Sequence, residues 1–220
     1  MARQIFIDID TQRDFRKSTW GIRHQVFIDI DTQWDFISRD GALSVPGGEQ
    51  IRGNLQALTH YALDNGIRII ASADAHPAND KEFEIFPPHC VQGTPGQKKI
   101  QETSVPNTLV IKNAISETAP HELLNRADQL LLEKQTFDVF TNPNAAGLVK
   151  AANAEEYIVY GVATDYCVKA AVLGLLEREH KTIVVEDAIA AVTEKTGLEA
   201  LALMQAKGAI FKKTSEIIGG

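Results

Sequence analysis

The sequence predicts an α/β protein, a three-layer α-β-α sandwich with a mostly parallel central sheet. Short apolar runs rich in β-branched residues alternate along the chain with longer segments of helical periodicity. Several of those runs end in a charged residue, among them Asp74 and Lys134. Alternating strands and helices form βαβ units, which bury a parallel sheet between two layers of helices.

The sequence of the first predicted strand occurs twice in the chain. QIFIDIDTQRDF occupies residues 4–15, and QVFIDIDTQWDF, which differs at two positions, occupies residues 25–36. The second copy leads through GALSVPGG into a helix, whereas the first is followed by RKSTWGIRHQ, which is too short for a crossover to a parallel neighbour. We therefore predict that the second copy lies in the sheet, that residues 1–24 lie outside the core fold and that residues 25–220 form one domain.

The remaining elements follow from periodicity and turn residues. Residues 49–66 carry apolar side chains at helical spacing, from Ile51 to Ala62, and end in the helix-stop signal Asn-Gly. IRIIASAD at 67–74 reads as a buried strand, and a polar loop runs from His76 to about residue 106. Downstream we predict strands at 108–112, 130–134, 157–163 and 182–188, helices at 144–153, 164–180 and 194–208, and an edge strand at 209–211.

The composition excludes several classes of function. The net charge of −7 supplies no basic patch, so we expect no nucleic-acid partner. No apolar run approaches the roughly 20 residues of a membrane-spanning helix, so we expect no membrane partner. Asp8 and Asp10 fall where a signal peptide has its apolar stretch. Two cysteines are too few for a disulfide framework, which favours a cytoplasmic protein.

Cys167, in GVATDYCV, lies just past a predicted strand in the first turn of a helix. Backbone N–H groups and the helix dipole lower a thiol pKa there, and the same N–H groups suit an oxyanion. Asp31 and Lys134 end other predicted strands, so all three converge at the carboxyl edge of the sheet. Asp31 would accept the thiol proton and Lys134 would hold the thiolate. The alternatives are a buried helix cysteine, a capping aspartate and a solvated lysine.

A second group of polar residues lies in DAHPANDKEFEIFPPHC. Asp74 and His76 are two residues apart and point to one side of an extended segment, and His89 follows two prolines. One carboxylate and two imidazoles suit Zn²⁺, Mn²⁺ or Fe²⁺. Glu82 or Asp80 is a candidate for an additional oxygen ligand. On spacing alone, an ordinary polar loop is the alternative.

Together these segments resemble the isochorismatase-like cysteine hydrolases and, within them, the nicotinamidase/pyrazinamidase branch. IDTQWDF is similar to the opening strand of the family, DAHP with FPPHCVQGTPG to the metal loop of that branch, and EKQTFDVF to the segment that carries a lysine. GVATDYCVKAAVLGLL is similar to the nucleophile segment, with a non-proline cis peptide before Ala163. The likeness runs from about Gln25 to Phe211 and implies the Rossmann-like variant of the predicted fold.

The resemblance implies a metal-assisted cysteine amidohydrolase of NAD salvage. Its reaction would convert nicotinamide and water into nicotinate and ammonia through a thioester acyl-enzyme. The resemblance assigns Asp31 as general base, Lys134 as its partner and Cys167 as nucleophile, with the backbone N–H groups of Ala163 and Cys167 as the oxyanion hole. It also implies a small-molecule amide substrate and a homo-oligomer.

The resemblance places a divalent metal, with Zn²⁺ preferred over Mn²⁺ or Fe²⁺, on Asp74, His76 and His89, where it would anchor the ring nitrogen of the substrate. Glu82 stands where this branch often has a further histidine, and is a candidate fourth ligand.

The predicted substrate pocket consists of Phe36, Trp34 and Tyr166. Tyr166 stands where the branch commonly has histidine. Phe140 is assigned either to the pocket wall or to core packing.

Other interpretations stay open. A related amidohydrolase acting on a carbamoyl or ureido amide is one, and the metal cluster discriminates because those relatives generally do without it. A catalytically silent interaction protein is another, although the joint presence of Asp31, Lys134 and Cys167 speaks against it. Three origins of residues 1–24 stay open: a tandem duplication, a mis-set start or an artefact. Three structural roles also stay open for them: an edge strand, a disordered segment or a contact with another subunit.

Overall fold

Seven parallel strands form the centre of the protein in a computed structural model that describes residues 24–219. The strands are β1 (Gln25–Ile30), β2 (Arg68–Asp74), β3 (Thr108–Ile111), β4 (Gln129–Lys134), β5 (Glu156–Val162), β6 (Thr182–Ala190) and β7 (Ile210–Lys212). Their order is β3-β4-β2-β1-β5-β6-β7. The second copy of the repeated phrase lies in the sheet, as predicted, and forms its central strand. The first copy lies outside the described residues.

The helices cover both faces of this sheet. They are α1 (Trp34–Ile37), α2 (Gly48–Asp64), α3 (Pro120–Leu124), α4 (Ala145–Ala152), α5 (Lys169–Glu177), α6 (Glu194–Ala206) and α7 (Thr214–Ile218). Helices α2 and α7 pack on the face that carries Phe27 and Ile69. Helices α3 to α6 pack on the opposite face, which carries Val26 and Ile28, because successive strand residues point to opposite sides. The predicted three-layer α-β-α sandwich is confirmed.

The sheet register brings the functional segments to one edge. Phe27 of β1 is level with Ile69 of β2 and with Ile158 of β5. Strands β2 and β4 end together, with Asp74 directly beside Lys134. Strands β2, β3 and β4 lie on one side of β1, and strands β5, β6 and β7 lie on the other, so the winding reverses between β1 and β5. Ligand sites of open α/β sheets form at such a reversal, beyond the carboxyl ends of the strands.

The structure adds details that periodicity did not predict. The predicted helix at 164–180 begins with a π-helical turn, Thr164–Val168, before α5. Helices α1, α3 and α7 were not predicted, because each is only about one turn long and too short to show a helical repeat. Among residues 24–219, no helix combines the length and the apolar character that crossing a bilayer requires.

Candidate active site

Asp31, Lys134 and Cys167 meet at the carboxyl edge of the sheet. Asp31 follows β1, Lys134 ends β4, and Cys167 lies in the π-helical turn after β5. The Nζ atom of Lys134 lies 2.7 Å from Oδ2 of Asp31 and 3.7 Å from Sγ of Cys167. All three side chains are buried. The structure therefore brings together the three side chains that the sequence singled out from separate strands.

The local backbone explains how Asp31 reaches this position. Its φ angle of 49° lies in the left-handed region, which aspartate enters more readily than most residues. This turn directs the carboxylate across the end of the sheet, where Oδ1 accepts a hydrogen bond of 2.7 Å from the Ser72 hydroxyl of β2. The peptide bond between Val162 and Ala163 is cis, as expected from the resemblance.

The surroundings of Cys167 favour the neutral thiol over the thiolate. Burial raises its pKa well above the usual range, and the Asp31 and Asp74 carboxylates add to this effect, while Lys134 opposes it. The prediction that the helix terminus lowers the pKa of Cys167 is wrong, because the desolvation of the buried sulfur outweighs that attraction.

The two carboxylates beside Lys134 differ in proton affinity. Burial raises the pKa of Asp31 above its ordinary value despite the opposing attraction of Lys134. Burial acts in the same direction on Asp74, but Lys134 and His76 hold the pKa of that carboxyl below its ordinary value. Asp74 therefore keeps its charge, and Asp31 is the carboxylate prepared to take up a proton.

Asp74, His76 and His89 form a second group beside these residues, which we call the metal cluster. One ligand atom from each lies within 4.8 Å of the other two, and all three side chains are buried. The Asp74 carboxylate is shared, since Oδ1 lies 2.5 Å from Lys134 Nζ while Oδ2 lies 3.7 Å from Nε2 of His76.

The donor atoms of the metal cluster fit a divalent cation. Nδ1 of His76 forms a hydrogen bond of 3.0 Å with Oδ2 of Asp80. The buried Nε2 of the same ring has no hydrogen-bond partner among the described residues. Nδ1 of His89 forms a hydrogen bond of 2.8 Å with the carbonyl oxygen of Pro87. Each ring is thus held by its outer nitrogen and presents the other to the cluster, which is the usual arrangement of metal-binding histidines.

The two candidates for a further oxygen ligand lie in different places. Asp80 contacts the outer nitrogen of His76, so it orients that ring rather than completing the cluster. Glu82 lies nearer to the cluster, with Oε1 at 3.8 Å from Nε2 of His89. Burial raises the pKa of the Glu82 carboxyl.

A cavity of ≈ 90 Å³ opens above Cys167. Its lining includes Ala163 and Cys167 together with the polar residues Asp74, Glu82 and His89. The remaining wall is mostly apolar, formed by Phe36, Leu43, Ser44, Val45, Phe86, Phe137, Val162, Tyr166 and Val192. The site thus combines a buried thiol, a lysine-linked carboxylate pair and a candidate metal cluster beneath aromatic walls.

Comparison with known proteins identifies the family. The family model described as the isochorismatase domain matches residues 25–130 and 116–216. The chain belongs to the isochorismatase family. It is a hydrolase of this family, and its candidate active site lies in the matched region.

Individual relatives are distant. The chain is 27% identical over 192 residues to the nicotinamidase of Escherichia coli (strain K12), covering 77% of this chain and 84% of that protein. The pyrazinamidase of Pyrococcus horikoshii, solved in complex with zinc, superposes with a TM-score of 0.71 at 24% identity over 86% of this chain and 99% of its own. The N-carbamoylsarcosine amidase of Thermoplasma acidophilum superposes with a TM-score of 0.68 at 22% identity, covering 86% of this chain and 96% of its own.

One aromatic residue of this isochorismatase-family chain, Trp34, lies elsewhere than predicted, and Phe140 takes the core position that was one of its two predicted alternatives. Trp34 does not line the cavity, because its side chain points outward, 45% exposed, with the guanidinium of Arg52 5.9 Å from the ring centroid. Phe140 packs in the core, with the guanidinium of Arg178 4.0 Å from its ring centroid. Phe36 and Tyr166 do line the cavity.

Sequence reasoning missed several residues of the site. The only sequence signal for Ser72 was a hydroxyl side chain within an otherwise apolar strand. Phe86 and Phe137 come from two loops and pack edge-to-face, with their ring centroids 6.2 Å apart. The ring centroids of Phe137 and Tyr166 are 5.1 Å apart. No periodic signal marks loop aromatics, so only the folded chain shows that they share a wall.

Proposed function

We propose that the protein is a metal-assisted cysteine amidohydrolase that converts nicotinamide and water into nicotinate and ammonia. The observation that carries the proposal is that Cys167 lines an aromatic-walled cavity together with Asp74 and His89 of the metal cluster, with its sulfur 3.7 Å from Nζ of Lys134, which pairs with Asp31. The similarity to the Escherichia coli nicotinamidase supports this choice of substrate.

The first half of the reaction forms a thioester. The Cys167 thiol transfers its proton to the Asp31 carboxylate as the sulfur attacks the amide carbon. The N–H groups of Ala163 and Cys167 hold the oxyanion. The C–N bond then breaks, and Asp31 returns the proton to the leaving nitrogen, so that ammonia departs. Lys134 stays protonated, because Asp31 and Asp74 outweigh burial and hold its pKa well above the usual range.

The second half restores the enzyme. Asp31 accepts a proton from a water molecule that attacks the thioester carbon, and the C–S bond breaks. Asp31 returns this proton to the departing sulfur, and the newly formed carboxyl group loses its own proton to solvent as nicotinate is released. The raised pKa of Asp31 suits both roles, since the same carboxyl accepts and donates a proton in each half.

The chain's own residues orient the substrate. Asp74, His76 and His89 would hold a divalent cation, for which Zn²⁺ is the first candidate and which supplies an anchor for the ring nitrogen. Phe36, Phe86 and Tyr166 would enclose the flat ring.

The charge of the cavity favours a neutral aromatic amide over a carbamoyl amino acid. Among the described residues that line it there is no arginine or lysine, whereas Asp74 and Glu82 are both acidic. The described part of the cavity wall thus offers no lysine or arginine to pair with a substrate carboxylate, whereas its mostly apolar surface suits a neutral aromatic ring.

Ammonia release from nicotinamide tests the proposal, with N-carbamoylsarcosine as the comparison substrate. We expect turnover of nicotinamide, a loss of about 10⁴-fold or more in Cys167→Ala and Cys167→Ser, and loss of turnover after chelation that added Zn²⁺ restores. Turnover that persists after chelation would remove the metal from the chemistry. Hydrolysis of N-carbamoylsarcosine alone would overturn the choice of substrate. The homo-oligomer and the cytoplasmic location stay predictions.

A further inference from the structure

The segment from the end of β1 into α1 carries two buried polar side chains, Gln33 and Asp35, that the proposed reaction does not use. We propose that both are positioning residues, which set the spacing of the metal cluster through the backbone of Asp74 and of His89. The inference rests on the metal site of the proposed function.

Gln33 binds both polar backbone groups of Asp74. Its Oε1 accepts a hydrogen bond of 2.7 Å from the Asp74 N–H, and its Nε2 donates one of 2.9 Å to the Asp74 carbonyl oxygen. The same nitrogen donates to the carbonyl oxygen of Gln97 at 2.7 Å. The Gln33 side chain is fully buried, so these contacts do not compete with bulk solvent.

The end of β1 explains why a side chain is needed there. Paired residues of β1 and β2 extend only to Asp29 and Ala71, because the chain turns at Asp31, whereas β2 continues to Asp74. A neighbouring strand normally supplies one donor and one acceptor to such a residue. The carboxamide of Gln33 supplies that same pair, so it replaces a missing unit of the sheet at the residue that carries a metal ligand.

Asp35 acts on the opposite side of the cluster. Its Oδ2 accepts a hydrogen bond of 2.7 Å from the N–H of Cys90, which belongs to the peptide group that follows His89. Its Oδ1 accepts from the N–H of Ala42 at 3.1 Å. Cys90 has a φ angle of 44°, a conformation uncommon outside glycine, asparagine and aspartate. The carboxylate therefore holds an unusual turn at the residue next to a metal ligand.

A further contact connects the third ligand. The N–H of His76 donates to the carbonyl oxygen of Cys90 at 3.2 Å. Asp74 is thus held by Gln33, the His89–Cys90 peptide by Asp35, and His76 by Cys90. Two side chains thus contact the backbone at all three ligands, directly at Asp74 and at the His89–Cys90 peptide and through Cys90 at His76. Loss of partners that orient ligands typically weakens metal binding about 10- to 100-fold.

Zinc affinity measured by competition with a chromogenic chelator tests the inference without relying on turnover. The variants are Gln33→Met, which removes the carboxamide at similar length, and Asp35→Asn, which keeps the shape but replaces one acceptor with a donor. The Co²⁺-loaded proteins are compared by their visible absorption, which reports ligand geometry.

Two matched controls lie away from the cluster. Gln129→Met alters another fully buried glutamine, whose amide bonds the Thr103 carbonyl oxygen and the Thr108 hydroxyl. Asp187→Asn alters a carboxylate that accepts two hydrogen bonds from Thr214. Urea unfolding of the metal-free proteins separates lost stability from lost ligand geometry.

We expect zinc affinity to fall about 10- to 100-fold in Gln33→Met and Asp35→Asn, with altered Co²⁺ spectra, and to stay unchanged in both controls. Wild-type affinity and spectra in both variants, or equal losses in the controls, would overturn the inference alone. A wild-type protein that binds neither Zn²⁺ nor Co²⁺ would overturn the metal site as well. If Gln33→Met does not fold, Asp35→Asn decides.

Discussion

Lys134 is a buried cation held between two carboxylates, with Asp31 at 2.7 Å and Asp74 at 2.5 Å. Asp31 belongs to the proposed proton transfer and Asp74 to the metal cluster. A single lysine therefore balances the charge of both parts of the site. Removing it leaves two carboxylates facing each other in a buried environment, which is more costly than losing an ordinary ion pair.

We expect Lys134→Met to lower the free energy of unfolding by about 3–5 kcal/mol, since it strands buried charges. Urea unfolding in the presence of a chelator measures this. The control is Arg126→Met, which removes an ion pair with Glu122 in which the two side chains are 54% and 55% exposed. That variant should lose about 0–1 kcal/mol. Equal losses in the two variants would contradict the proposed role of burial.

Asp31 must be deprotonated to accept the thiol proton, so acid should inactivate the enzyme as Asp31 becomes protonated. Burial raises the pKa of Asp31, which places the acidic limb of kcat/KM above the ordinary aspartate range. The Ser72 hydroxyl acts in the opposite direction by donating to Oδ1. Removing this donor in Ser72→Ala raises the pKa of Asp31 further.

The pH dependence of kcat/KM for nicotinamide, measured for wild type and Ser72→Ala, checks this prediction. The acidic limb should move to higher pH in the variant, while the activity well above that limb is largely retained. A limb that stays in place, or moves to lower pH, would show that another group controls it.

At the scale of the elements, the junction of β1 and β5 depends on one glycine. Gly161 is level with Ile30 in the register and has a φ angle of 119°. A Cβ atom at Gly161 would overlap the backbone of Ile30. Glycine is required here both for its conformation and for the close approach of the two strands that flank the site.

Gly161→Ala should therefore lower the free energy of unfolding by more than about 1 kcal/mol, because alanine is incompatible with this backbone. Gly53→Ala is the matched control, since Gly53 lies within α2 and a Cβ atom there meets nothing within 4 Å. That change should stabilise the protein by up to about 1 kcal/mol. Chemical unfolding of both variants tests the pair, and destabilisation by both or by neither would refute the explanation.

At the scale of the whole molecule, a metal on Asp74, His76 and His89 would join the end of β2 to the loop that follows it. Binding to the folded chain alone stabilises it by mass action. We expect Zn²⁺ at about 100 times its Kd to raise the free energy of unfolding by about 2.7 kcal/mol. Thermal unfolding with and without a chelator measures the change, and His89→Ala should lose it. Identical midpoints in wild type under both conditions would argue against the cluster.

Much of the fold was predictable because its signals are local. The alternation of apolar runs and helical periodicity identified all seven strands and the long helices, and the turn sequence after the second copy identified β1. Asp31, Lys134 and Cys167 were singled out because each ends or follows a strand, and parallel strands end at one edge.

The sequence by itself determined the elements and the edge where the charged residues gather. The tertiary structure decided the rest: that Trp34 faces outward, that Asp74 is shared between Lys134 and the metal cluster, and that Gln33 takes the place of a strand neighbour. It also decided that burial raises the pKa of Cys167. Periodicity records which face of one segment is buried, whereas these properties depend on atoms from segments far apart in the chain, which only the packed structure brings into contact.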